Sequence, residues 1–421
     1  MRNCVLILLI FIHALALSQS RLLAIKCGRL IDGKNNLVQE NVVIAMEGNI
    51  IKSVGASIPS KAEIIDLSAA TVLPGLIDSH THLLLHEGDY DQQLLKESQA
   101  FRAIRGAVAA EKTLMAGFTA VRDVETEGAM YADVALRDAI NGGYISGPRM
   151  QAATRALSVT GGYAPYGYAP EVEVPYGVQI ADGVDGVRKA VREQIRYGAD
   201  VIKIYADSRY RHRMADSLVG SPTFSDEEMK AIVEEAEKVG IHVCAHAYTS
   251  RAAQRAVRAG VRSIEHGLYL DDETFKLMKQ KGAYWVPTLV AYVEFAKDTA
   301  ISPAIRSMVE YSVKRHRETF QRGLRSGVNI AFGTDMYNPH GSGTKEFALM
   351  VRYGMSPMRA VQSATGVAAE LLDWRGKVGE ISPGAFADII AVAGDPLKDV
   401  SLLEHVKFVM KDGKVYKNEI R

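Results

Sequence analysis

The sequence predicts an α/β chain: a (β/α)8 TIM barrel carrying a small β-sandwich domain built from both chain ends. Three observations point there. The middle of the chain, residues 73–379, alternates short apolar runs with stretches of helical spacing. The two ends, residues 19–72 and 380–421, are instead rich in strand-forming residues and tight turns. The apolar runs of the middle number eight, the count that closes a parallel barrel.

In chain order, residues 1–18 come first. Arg2 supplies a positive start, Val5–Leu17 is apolar apart from His13, and Ala16-Leu17-Ser18 places small residues where a signal peptidase reads. Such a run is shorter than the roughly 20 residues a spanning helix needs. It predicts a cleaved secretory signal, a secreted or periplasmic protein, and no membrane attachment after cleavage; a short uncleaved anchor is the alternative. Strands are expected at Leu22–Cys27, Val42–Met46 and Ile51–Val54, punctuated by Asp32-Gly33 and Glu47-Gly48-Asn49.

The eight candidate barrel strands are Leu76–His82, Thr119–Val124, Arg149–Leu157, Val201–Tyr205, His242–His246, Ser263–His266, Ala283–Leu289 and Asn329–Thr334. Ser225-Asp226-Glu227-Glu228 reads as a capping box that opens a helix to Val239, closed by Gly240. An open doubly wound sheet is the competing architecture, weakened because no Gly-rich phosphate turn follows the first strand. The tail returns to strands at Ala387–Val392, Val406–Lys411 and Lys414–Lys417, the last two joined by Asp412-Gly413.

Composition removes some functions. Lys and Arg number 50 against 49 Asp and Glu, so the near-zero net charge gives no support for a nucleic-acid partner. Cys27 and Cys244 remain after signal removal, too few for a disulfide framework, and each reads as a small buried hydrophobe.

Chemistry concentrates at the strand ends. Residues two apart share a face of a strand, so Asp78, His80 and His82 point together, as do Val201, Lys203 and Tyr205. His246 ends the fifth run, His266 ends the sixth, and Asp335 follows the eighth. Barrels place their active sites at these C-terminal strand ends. Imidazoles and carboxylates converging there make a metal site.

These segments resemble the amidohydrolase superfamily. Val72-Leu73-Pro74-Gly75-Leu76-Ile77-Asp78-Ser79-His80-Thr81-His82 is similar to its opening signature, and Ala199-Asp200-Val201-Ile202-Lys203-Ile204 to its carboxylated-lysine strand. Ala245-His246-Ala247-Tyr248, Ile264-Glu265-His266-Gly267 and Gly333-Thr334-Asp335 are similar to the remaining ligand segments, and Gly384–Ile390 to the returning strand. Within the superfamily the motifs resemble those of secreted or periplasmic Xaa-Pro and Xaa-Arg/Lys dipeptidases and ochratoxin-hydrolysing amidases. The resemblance implies a binuclear zinc hydrolase acting on the C-terminal amide bond of a dipeptide or N-acyl amino acid, and a homo-oligomer. It assigns His80, His82 and Asp335 to one zinc and His246 and His266 to the second. Lys203, as a carbamate made with CO2, would bridge them, since a protonated amine cannot ligate a cation. Manganese or cobalt could substitute. A bridged pair lowers the pKa of a shared water toward about 7, and Asp335 would act as general base, then general acid.

Substrate contacts are expected from Tyr248, two residues after His246, from Arg209 and Arg211 in the run Arg209-Tyr210-Arg211-His212-Arg213, and from Tyr163 in the long segment Ser158–Asp182. Tyr163 follows Gly161-Gly162, where relatives often carry a histidine. Alternatives remain: a single-metal deaminase or imidazolonepropionase-like ring opener, a phosphotriesterase-like hydrolase, or a scaffold that has lost its chemistry. The occupied ligand positions speak against the last.

Overall fold

The computed structural model describes residues 22–208, 220–299, 301–337 and 339–420. The expected signal segment, Arg209 and Arg211 lie outside the described residues.

Both chain ends meet in one seven-stranded sheet. Its order is Lys414–Asn418, Phe408–Lys411, Ile389–Val392, Glu63–Pro74, Leu22–Ile31, Val38–Glu47 and Ile50–Gly55. Leu22–Ile31 runs antiparallel to Val38–Glu47 and parallel to Glu63–Pro74, which in turn pairs antiparallel with Ile389–Val392. The sheet has its own apolar core, including Leu23, Ile25, Ile44, Val72, Ile389, Phe408 and Met410. Glu63–Pro74 was not expected as a strand. Its Ser68-Ala69-Ala70 centre has little strand propensity, and it is held by partners on both sides, one from each chain end.

A single glycine separates that strand from the next layer. A Cβ at Gly75 would lie 2.0 Å from the Thr119 hydroxyl, so no larger residue fits this crossing. Beyond it, parallel strands follow in sequence: Leu76–Thr81, Phe118–Asp123, Arg149–Ala152 with its continuation Leu157–Ser158, Val201–Tyr205, His242–Thr249, Ser263–Tyr269, Tyr284–Val286 and Asn329–Ile330. Each pairs with the next in parallel register; the third and fourth strands pair only through Leu157, and the last and first meet through backbone hydrogen bonds alone. Asp200 N–H donates to Ala152 O at 2.8 Å, Ser79 N–H to Phe332 O at 3.0 Å, and Asp335 N–H to His80 O at 2.8 Å. The strands therefore close into a ring, consistent with a (β/α)8 barrel.

Helices pack around this ring over an apolar layer that includes Phe275, Trp285, Phe320, Phe332 and Phe347. Burying each such ring contributes about 1.5–3 kcal/mol. The capping box of Ser225 and Glu228 is present and opens the helix Asp226–Glu237. Cys27 and Cys244 are buried and unpaired, and burial pushes their thiols up to about 12 and about 11. Among the described residues, no helix is long and apolar enough to cross a membrane.

One reading of the sequence needs correction. By sequence alone His242, on the same strand face as His246 but one layer deeper, reads as a core position. Its side chain is instead 40% exposed at the N-terminal rim, with Nε2 2.5 Å from Asp373 Oδ2.

Candidate active site

The C-terminal rim of the ring opens on a cavity of about 660 Å³, lined by His80, His82, Lys203, His246, His266 and Asp335 among others. His80, His82, Lys203 and His266 are buried. The imidazoles form a chain of close rings: His82 to His80 at 5.3 Å between centroids, His80 to His266 at 4.8 Å, and His266 to His246 at 4.6 Å. Asp335 Oδ1 lies 3.1 Å from His82 Nε2 and 3.7 Å from His80 Nε2; its Oδ2 lies 3.9 Å from His266 Nδ1. Lys203 Nζ sits 5.4 Å from the centroid of the Tyr205 ring, which flanks His246 at 4.8 Å.

Partners behind the imidazoles set their orientation. His80 Nδ1 donates to Glu265 Oε2 at 2.7 Å, and His82 Nδ1 donates to the Glu125 carbonyl at 3.3 Å. The Glu265 carboxylate lacks a hydrogen of its own, so the neutral His80 ring presents its Nε2 lone pair to the cavity, while His82 Nε2 faces Asp335. Glu265 is held in turn by Arg122 Nη2 at 2.9 Å and Ser263 Oγ at 2.5 Å. Asp78 does not face the cavity as a ligand. Its carboxylate accepts from His80 N–H, Thr334 N–H and Thr334 Oγ1 at 3.1, 3.0 and 2.6 Å, tying Asp335's segment to the first strand.

The backbone is unusual at the same places. His266, Thr288 and Asp335 have φ of 67°, 50° and 55°, the left-handed region that non-glycine residues seldom enter. The His266 carbonyl is clamped by Trp285 Nε1 at 3.0 Å and His316 Nε2 at 3.1 Å, and its Nδ1 lies 2.8 Å from Thr288 Oγ1. That kink breaks strand alternation. Neighbours Glu265 and His266 can therefore both serve the site, which the sequence reading of Glu265 missed.

Electrostatics reflect crowding. Burial and the Lys203 charge depress His80 to about 4. Burial opposes charge on His82, yet its bond to Asp335 lifts it to about 9. Burial likewise opposes ionisation of Asp335, but His82, His80 and Lys203 together hold it at about 2. Glu265, also buried, is kept at about 2 by Arg122 and His80.

The chain belongs to the amidohydrolase family. The model of the Amidohydrolase family matches residues 71–416. Ochratoxinase of Aspergillus niger is 33% identical, over 95% of this chain and 87% of its own. The crystal structure of a Xaa-Pro dipeptidase with methionine bound in its active site superposes with a TM-score of 0.86 at 38% identity, covering 94% of this chain and all of that one. A prolidase complexed with N-methylphosphonate-L-proline gives 0.86 at 33% identity, with 94% and 100% coverage. This amidohydrolase is thus a hydrolase acting on amide bonds.

The remaining residues singled out in the sequence divide. Tyr248 lines the cavity, its ring 4.4 Å from His246 and its hydroxyl 3.0 Å from the Tyr292 hydroxyl. Its N–H, with that of Thr249, donates to the buried Asp207 carboxylate at 3.0 and 2.9 Å. Tyr163 also lines the cavity, where its hydroxyl donates to Glu127 Oε2 at 2.8 Å. Glu125, Glu127, Tyr90 and Tyr205 were not anticipated as site residues; the two glutamates follow the second strand in a loop without a ligand-like spacing.

Proposed function

We propose that this amidohydrolase cleaves the C-terminal amide bond of dipeptides or N-acyl amino acids at two zinc ions held by His80, His82, Asp335, His246 and His266 and bridged by carboxylated Lys203. The observation that carries the reading is the state of His80. Its Nε2 is buried, lacks any hydrogen-bond partner, and is forced by Glu265 to offer a lone pair. A buried nitrogen without a partner costs about 1–3 kcal/mol, which a metal would offset. The surrounding donors, three further imidazoles and a carboxylate, suit zinc, with manganese or cobalt as substitutes. Lys203 is buried beside them without a carboxylate partner among the salt bridges of the described residues, which suits modification to an anion.

When bound, such a pair supplies Lewis-acid polarisation of the scissile carbonyl and lowers the pKa of water. The protein's own groups do the rest. Asp335 accepts the proton of the attacking water and delivers it to the leaving amine nitrogen. Tyr248 donates its hydroxyl hydrogen toward the developing oxyanion. Glu265 fixes the His80 tautomer throughout.

A single-metal reading draws support from His80, His82 and Asp335, whose ligand atoms all lie within 4.8 Å of one another. Counting metals per chain separates the two. The wider expectations are kept as part of this proposal: a signal peptide at 1–18, export to the periplasm or outside, a β-sandwich unit from residues 19–72 and 380–421 on a barrel of 73–379, Arg209 and Arg211 near the substrate, and homo-oligomerisation. The exposed Phe101, Ile104 and Val108 on one helix face support the last.

The test is an assay of chelator-stripped protein reloaded with zinc and bicarbonate against a library of dipeptides and N-acyl amino acids. Metal-dependent release of the C-terminal amino acid is expected; turnover only of cyclic amidines or phosphotriesters would overturn the proposal.

A further inference from the structure

One wall of the cavity is built for something other than metal ligation. Glu125 and Glu127 are both buried in the segment after the second strand. Glu127 Oε2 accepts from the hydroxyls of Tyr90 and Tyr163, each at 2.8 Å, and Glu125 Oε2 accepts from Tyr205 at 2.6 Å. Glu125 Oε1 is buried with no hydrogen-bond partner. Tyr90, Tyr163, Tyr205 and Glu127 all line the cavity.

The arginine that holds this loop makes no bond to these carboxylates. Arg102, almost wholly buried, spends its donors on backbone carbonyls: Glu127 O at 2.7 Å, Thr126 O at 3.1 Å and Leu84 O at 3.3 Å. It holds the loop from behind and leaves the Glu127 carboxylate lining the cavity, with Glu125 buried next to it. Lys203 is the only Lys or Arg among the described cavity-lining residues, whereas Asp91, Glu127, Asp207 and Asp335 all line it. Two adjacent buried carboxylates repel each other and are stabilised by a cation between them. Aromatic faces on Tyr90 and Tyr163 favour the same charge. The arrangement is also sterically exacting. A Cβ at Gly177 would lie 1.8 Å from the Tyr90 hydroxyl, so glycine there lets Tyr90 reach Glu127.

Distance selects which cation. The ligand atoms of His82, Glu125 and Glu127 lie within 4.8 Å of one another. His82 is also a proposed zinc ligand, so a group bound here would sit beside a scissile carbonyl held at that metal. In a dipeptide the α-ammonium is one carbon from that carbonyl, whereas a side-chain amine is much farther. We propose that Glu125 and Glu127, framed by Tyr90, Tyr163 and Tyr205, bind the free α-ammonium of the substrate, so that the enzyme selects dipeptides over N-acyl amino acids. The inference rests on the hydrolase reading for its catalytic consequence, but its binding test does not.

The experiment uses the full metal-loaded protein and two probes: the phosphinic isostere of alanyl-methionine with a free amine, and its N-acetyl derivative. Calorimetry on the wild type is expected to show the free amine binding about 10–100-fold more tightly, the range for charge-assisted hydrogen bonds. Glu127→Gln is expected to bring that ratio to within about threefold of unity, chiefly by weakening the free-amine probe. Tyr90→Phe, which keeps the charge and removes one hydroxyl, is expected to lower the ratio part-way. Equal binding of both probes by the wild type would overturn the proposal, as would an unchanged ratio in a folded Glu127→Gln protein. Uptake of an additional zinc ion that Glu127→Gln abolishes would overturn it too, by making the pair a metal site. In parallel, kcat/KM for alanyl-methionine and its N-acetyl form should show the same ratio. Absence of turnover with intact amine selectivity would defeat the hydrolase reading alone.

Discussion

The two rims of the strand ring use the same residue types to opposite ends. At the N-terminal rim, His242 and Arg262 converge on Asp373 at 2.5 and 2.8 Å, and Arg262 also donates to the carbonyls of Leu371 and Glu370. These groups are partly exposed and have partners within the chain. At the C-terminal rim, His80 Nε2 and Glu125 Oε1 are buried and have none. Histidine and carboxylate alone therefore do not mark a site in this protein; the C-terminal rim differs in gathering such unpartnered atoms beside a cavity, since they also occur singly elsewhere, as at Asp388 Oδ2. His242 and His246 make the contrast on one strand, four residues apart and on the same face.

Substitutions can break or sharpen this contrast. The largest effect belongs to Lys203→Ala and His80→Ala, expected to lower kcat/KM beyond the roughly 100-fold that loss of an orienting partner alone produces, with matching loss of zinc by metal analysis. Glu265→Gln keeps the shape but removes the charge that fixes His80, so zinc affinity measured by competition with a chelator should fall about 10–100-fold. Asp78→Ala leaves Thr334 and His80 N–H groups without their acceptor, and denaturant unfolding should show a loss of about 1–3 kcal/mol. His242→Ala removes only a partly exposed ion pair; stability should change by no more than about 1 kcal/mol and kcat/KM by less than about twofold. An inactive His242→Ala protein would erase the distinction between the rims.

A pH effect should come from a third place. Glu346 is fully buried, and burial pushes its carboxyl up to about 8 although Leu289 and Val290 N–H groups donate to it at 3.0 and 2.6 Å. The folded chain therefore keeps a proton that the unfolded chain releases near pH 4.3. The stability this provides is complete below that value and declines as pH rises toward 8, by up to about 1.4 kcal/mol per pH unit. Glu346→Gln should flatten that part of the profile in denaturant titrations between pH 5 and 8; an unaltered slope would place the proton elsewhere.

The sequence made one class of feature legible and hid another. His80, His82, Lys203, His246, His266 and Asp335 are readable because each stands within, at the end of or just after an apolar run, and the fold gathers the C-terminal ends of such runs. The ring itself is readable for the same reason, since its strands are buried on both faces and appear as apolar runs. Glu265 was hidden because alternation assigns it the face opposite His266, and only the left-handed φ at His266 cancels that rule. Glu125 and Glu127 were hidden because they sit in a loop, where no period relates a residue to its direction. Glu63–Pro74 was hidden because its pairing, not its composition, makes it a strand.

The claim on which the site depends is that Lys203 bridges two cations. Metal analysis of protein reloaded with zinc and bicarbonate tests it most directly. Two zinc ions per chain in the wild type and at most one in folded Lys203→Ala is the expected result. Two tightly held zinc ions in Lys203→Ala, with activity retained, would contradict it.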